Sequence, residues 1–87
     1  MAGSIVQVRL LGNASNAAVI HLPGRRFPGI LIQGDTLRNL LQMAVNVADK
    51  LEPGSPERDG AEELRVELQA KFDEYDRCLR SLGLDLP

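Results

Sequence analysis

Ile30-Leu31-Ile32-Gln33-Gly34-Asp35-Thr36-Leu37-Arg38-Asn39-Leu40-Leu41 is the stretch where the period of the sequence changes. Up to Gln33, apolar residues come in short, β-branched runs, the pattern of strands. Beyond Gly34 the pattern is different: Leu37, Leu40, Leu41, Ala44, Val47, Ala48 and Leu51 recur at steps of three and four, a broad apolar stripe at helical spacing. Asp35 is the natural N-cap for this helix, with Thr36 as the competing position, so the helix is expected over about 36–51. A strand half followed by a helical half sets the fold class as α+β.

Working back from the change of period, three strands are expected within about residues 4–33. Ile5-Val6-Gln7-Val8-Arg9-Leu10-Leu11 places Val6, Val8 and Leu10 on one face, with Gln7 and Arg9 on the other. Gly12-Asn13-Ala14-Ser15-Asn16 supplies turn residues, and Ala17-Ala18-Val19-Ile20-His21-Leu22 reads as the second strand. Pro-Gly then occurs twice, at Pro23-Gly24 and Pro28-Gly29. Proline presets φ and glycine supplies positive φ, so the first pair is expected to turn a hairpin in type II geometry. The second should bend or bulge the returning strand, because Pro28 cannot donate a ladder hydrogen bond. Connections this short make neighbouring strands antiparallel, and the sheet should be a meander.

Working forward, Glu52-Pro53-Gly54-Ser55-Pro56-Glu57-Arg58 breaks the helical pattern with two prolines and a glycine. Asp59-Gly60-Ala61-Glu62 has capping-box spacing, which starts a second helix expected over about 60–82. Leu64, Leu68, Phe72, Tyr75, Leu79 and Leu82 line one side of it. Gly83 stands where a left-handed C′ residue belongs, and Leu84 where the following residue packs back. The two helices form a hairpin whose apolar side needs a cover, and the sheet is the available one. The expected architecture is therefore one βββαα domain over 1–87, a three-stranded antiparallel meander packed against a two-helix hairpin.

The 87 residues carry a net charge of −2 with 44% hydrophobic residues, which suits one small globular domain with a thin core and excludes a disordered chain. The charge is unevenly spread. Residues 1–34 hold Arg9, Arg25 and Arg26 and no acid, a balance of +3, whereas residues 35–87 hold all twelve acids and balance at −5. Three arginines are too few to argue for nucleic acid. No apolar run approaches the roughly 18 residues that span a bilayer, so no membrane partner is expected. The first residues lack the basic and apolar regions of a secretory signal, and a lone Cys78 makes no internal disulfide; both agree with a cytoplasmic location. Asn13-Ala14-Ser15 matches a glycosylation sequon, which without such a signal is read as chance.

The run Ile20-His21-Leu22-Pro23-Gly24-Arg25-Arg26-Phe27-Pro28-Gly29, followed by Gln33-Gly34-Asp35 and a leucine-rich helix, resembles a family of small bacterial proteins of unknown function. The ending Leu79-Arg80-Ser81-Leu82-Gly83-Leu84-Asp85-Leu86-Pro87 is similar to how such proteins close. The resemblance covers most of the chain and implies a bacterial, cytoplasmic origin; it implies no activity.

Among the residues that could carry chemistry, Arg25 and Arg26 between the two Pro-Gly pairs stand out, since adjacent guanidinium groups on a rigid turn can grip a carboxylate or phosphate. The competing reading is a solvated turn with the Arg26 stem over apolar neighbours. Asp35 at a helix start reads first as a cap, and His21, the single histidine, as a hydrogen-bonded structural residue; together they make only a weak ligand site. No catalytic residue is assigned. One Cys and one His cannot hold zinc, so no metal is expected, and no cofactor motif is present. The apolar side of the second helix around Phe72, Tyr75 and Leu79 is expected to exceed what a small sheet covers, and to contact a partner protein or a second copy of the chain. These observations describe a non-enzymatic protein-binding module acting as a homodimer through Arg25, Arg26, Phe72, Tyr75 and Leu79. Two alternatives remain open. One is an immunity or antitoxin-like protein offering Glu63, Glu67 and Asp73 to a basic toxin surface. The other is a small ligand-binding protein or enzyme built on His21, Arg25, Arg26 and Asp35.

Overall fold

The computed structural model describes residues 3–14 and 17–84. Three antiparallel strands precede two helices: β1 (Arg9–Ala14), β2 (Ala17–His21), β3 (Gly29–Ile32), α1 (Gly34–Lys50) and α2 (Pro56–Ser81). This is the α+β order that the change of period announces. The chain divides into two compact units, Met1–Gln33 and Gly34–Pro87.

In the first unit the sheet order is β1-β2-β3, a meander. Pro23-Gly24 makes the β2–β3 turn as expected: Gly24 has φ +77° and the Arg25 N–H donates to the Leu22 carbonyl at 3.3 Å. Pro28-Gly29 does something else. Gly29 keeps an ordinary φ and opens β3 opposite Ile20, so proline stands just outside the ladder, where its missing N–H costs nothing. The first strand is shorter than its alternating pattern. Pairing ends at Arg9 opposite His21, because the chain beyond His21 enters the Pro23 turn and offers no partner to residues 4–8. The register of β1 on β2 also slips between Leu10 and Gly12, leaving Leu11 as the extra residue of a bulge. Of the expected turn cluster between β1 and β2, Ser15 and Asn16 lie outside the described residues, as does the sequon's serine.

The ladder decides which side chains share a face. Leu10, Ala18, Ile20 and Leu31 fall on one face, and Ala17, Val19, Ile30 and Ile32 on the other. Both faces therefore carry apolar residues, with Arg9 and His21 at one end of the second and Asn13 on the first. None of the described residues of this unit is buried.

In the second unit α1 and α2 run against each other as a hairpin. Leu37, Leu41, Ala44, Ala48 and Leu51 recur at alternating steps of four and three, and so do Ala61, Arg65, Leu68, Phe72, Tyr75 and Leu79. All of these are buried or half-buried, with Leu37, Ala44 and Ala48 the most enclosed. The alternation is that of a coiled-coil seam. Its small residues let the helices approach closely, and the closest fit is at its far end. A Cβ on Gly34 would collide with the hydroxyl end of Tyr75. Phe72 lies against the Tyr75 ring, with centroids 5.9 Å apart.

The connection is a second type II turn, Glu52-Pro53-Gly54-Ser55, with Gly54 at φ +82° and the Ser55 N–H on the Glu52 carbonyl at 3.1 Å. α2 begins earlier than the Asp59 capping box suggests. Ser55 is the N-cap, its Oγ accepting the Arg58 N–H at 3.1 Å, and Pro56 fills the first turn, where a missing N–H is no loss. Arg58 in turn donates Nη1–H to the Leu51 carbonyl at 3.2 Å, closing the end of α1. At the other end the expected glycine cap is present. Gly83 has φ +71°, its N–H donates to the Arg80 carbonyl, and Leu84 N–H reaches back to Leu79 at 2.8 Å. No helix among the described residues is long and apolar enough to cross a membrane.

Gly34→Ala should lower stability by about 1 kcal/mol, the small end of overpacking costs, because the tip of Tyr75 can swing aside. Tyr75→Ala removes the obstacle, so thermal unfolding of the double variant should show a loss smaller than the sum of the two single ones.

Candidate functional site

The seam does not use all of the hairpin's apolar residues. Leu40 and Val47 stand one helical position to the side of the α1 seam, with Met43 beyond them, and Leu64 flanks the α2 seam on the same side. In an antiparallel pair these flanking positions face one another across the same edge of the seam. They line an open cleft of about 370 Å³ together with Ala44, Ala61 and Leu68. No charged residue lines it. Met43 is 61% exposed, Leu64 55% and Val47 54%, so the cleft is apolar surface in water.

The charged residues of α2 are arranged differently. Arg58 and Arg65 pair with Glu62, Lys71 with Glu67, Arg77 with Glu74 and Arg80 with Asp76, all at helical i,i+3 or i,i+4 spacing. Four of the eight acids of α2 are thus answered on the same helix. The tightest pair is Glu74–Arg77, in which Arg77 donates from Nε and Nη2 to both carboxylate oxygens. Cys78 joins it, its thiol donating to Glu74 at 3.5 Å while Arg77 reaches the sulfur at 3.4 Å. The Arg77 hydrogen bonds, then that of the thiol, hold the Glu74 carboxyl down to about 2 from its ordinary 4.5, and Arg77 is raised in turn.

The residues singled out in the sequence take these positions. Phe72, Tyr75 and Leu79 lie half-buried along the seam, while Met43, Val47 and Leu64 beside it are exposed. Arg25 and Arg26 sit on the exposed β2–β3 turn. Arg26 lies over the Phe27 ring, 5.1 Å from its centroid, and Arg25 borders a small hollow with Ile20, Leu22, Phe27 and Ile30. His21 donates its Nε2–H to the Arg25 carbonyl at 2.7 Å, a strut across the base of the turn. Asp35 accepts the Thr36 N–H at 2.8 Å inside the first turn of α1. Among the described residues there is no cluster of three or more His, Cys, Asp or Glu side chains able to hold a metal ion.

Comparison with known proteins gives one match. A family model described as a family of unknown function (DUF6959) matches residues 4–87, nearly the whole chain. The chain belongs to this family. No curated protein and no solved structure matches. The match runs through the sheet, the hairpin and the cleft alike, so these are elements of the family domain and not additions to it.

A carboxyl titration followed by NMR should find Glu74 with a midpoint well below 4.5, toward about 2. Because the folded value is depressed, the contact contributes above pH 4.5 and is lost as pH falls toward 2. The pair is exposed, so raising the salt to about 1 M should move the midpoint back up.

Proposed function

We propose that this chain is a non-enzymatic protein-binding module that acts as a homodimer, two copies laying their α1–α2 clefts together as a four-helix bundle. The observation that carries the reading is the cleft itself, an uncharged run of Leu40, Met43, Val47 and Leu64 left in water by a hairpin that needs burial. A second copy brings the same stripe, and a two-fold axis makes such a surface complementary to itself. Counting supports a partner more generally. The two sheet faces and the hairpin face make three faces that carry apolar residues, and three cannot be matched in pairs within one chain. Of the acids that a basic partner surface would grip, Glu67 is paired with Lys71 and Asp73 accepts a hydrogen bond from Gln69, which favours the cleft over that reading. Arg25 and Arg26 remain a second contact in the proposal, since both are exposed on a braced turn. The setting we infer is the cytoplasm of a bacterium, in keeping with a free Cys78.

Sedimentation velocity should show self-association at micromolar concentration. Leu64→Lys and Met43→Lys each put a charge at the centre of the bundle and should weaken it by about 2 kcal/mol or more, roughly 30-fold, by the cost of burying an unpaired charge. Lysine suits an exposed helix position, so the helical circular dichroism of the dissociated variant should be kept. A wild-type chain that stays monomeric at millimolar concentration overturns the proposal.

A further inference from the structure

We infer a second interaction surface, separate from the cleft: residues 4–8 of one copy add as a fourth strand to the free edge of β3 in another copy. The segment Ser4-Ile5-Val6-Gln7-Val8 has the composition of a strand, three of its five residues being β-branched and none charged. It has no ladder partner, and Ile5 and Val6 are exposed. Its own neighbour cannot supply one. β1 runs past the end of β2, and the next residues there are Leu22 and Pro23, the first without continuation of the strand and the second without an N–H.

The other half of the interaction is the outer edge of β3. β3 closes the sheet order, so one side of its backbone has no neighbouring strand. Gly29, Ile30, Leu31 and Ile32 are all exposed, and no charged residue or internal proline guards the edge. Such an edge pairs readily with an extended segment. The donor must be a different molecule. From the start of β1 to the outer side of β3 is three strand spacings, about 14 Å. Five residues reach about 17 Å fully extended, so crossing its own sheet would leave roughly one residue to pair. Each copy carries one such segment and one such edge, so reciprocal exchange closes as a two-fold dimer. None of the cleft residues takes part.

The test uses full-length chains with Cys78→Ser, removing the native thiol. One preparation carries Val6→Cys or Gln7→Cys, covering both faces of the segment, and a mass-labelled one carries Leu31→Cys. After mixing and mild oxidation, the segment-to-edge disulfide should exceed either self-disulfide at least fivefold. Gln7→Pro, introduced beside Val6→Cys, removes an N–H that no ladder in the chain uses. It should leave circular dichroism and melting temperature unchanged while cutting the cross-link at least tenfold. Leu64→Lys should leave the cross-link intact, which separates this surface from the cleft. A dominant Leu31→Cys self-disulfide would mean that β3 pairs with its own copy and would overturn the inference. So would a disulfide within one doubly substituted chain, no cross-link at all, or loss of the cross-link with Leu64→Lys.

Discussion

The close approach of α1 and α2 governs what the rest of the Gly34–Pro87 unit can do. Gly34, Ala44, Ala48 and Ala61 keep the seam narrow, and Tyr75 fits the space that a Cβ on Gly34 would need. A narrow seam holds helices firmly and buries little, since the transfer energy scales with area at about 25 cal/mol per Å² and an alanine has little area to bury. Among the described residues only Leu37, Ala44 and Ala48 are buried, and two of the three are alanines. Leu40, Met43 and Val47 fall to one side of the seam by helical phase and are left beside it. The cleft is the flank that the hairpin leaves uncovered when its seam closes.

The sheet meets a related shortage from a different cause. A three-stranded ladder has two faces and two edges, and this one carries apolar residues on both faces. The apolar residues of β2 and β3 alternate between the faces, Ile20 and Leu31 on one and Val19, Ile30 and Ile32 on the other. At the edges, the turn at Pro23 ends β2 while β1's sequence still reads as strand. Surplus strand at one edge and an unguarded strand at the other are two results of one early turn.

Much of this fold was legible in the sequence, and the misreadings share a physical reason. The change of period at Gly34 separated strands from helices because side-chain alternation is a local property. Gly83 and Leu84 announced their cap because the Schellman bonds lie within one turn. Proline was harder, since its effect depends on where its absent N–H falls. Pro23 and Pro53 sit in type II turns; Pro28 stands outside a ladder; Pro56 starts a helix that its presence suggested it would prevent. The Ser55-Pro56-Glu57 sequence held that signal, with a cap, a first-turn proline and an acid at the positive end of the helix dipole. The short β1 was not legible, because a strand needs a neighbour and the neighbour's end was set elsewhere. For the candidate site, the sequence showed that α1 has a broad stripe but not which residues of it the seam would use. That depends on the size of Gly34, Ala44 and Ala48 facing α2, a pairing across about 40 residues that no local pattern records.

The sequence divides its charge into a basic strand half and an acidic helical half. The side-chain pairing on α2 changes its meaning. The paired charges add little to the field at distances beyond a Debye length, about 8 Å in physiological salt, and the eight acids and five bases of α2 leave a smaller excess than the acid count suggests. His21 braces the β2–β3 turn through the Arg25 carbonyl and Arg26 covers the Phe27 ring, while both arginines stay exposed. Beside them the chain offers a partner apolar area on the hairpin and unpaired backbone along β3. Those two forms of contact depend on burial and on main-chain hydrogen bonds, so association through them would depend far less on salt than the sequence's split charge suggests.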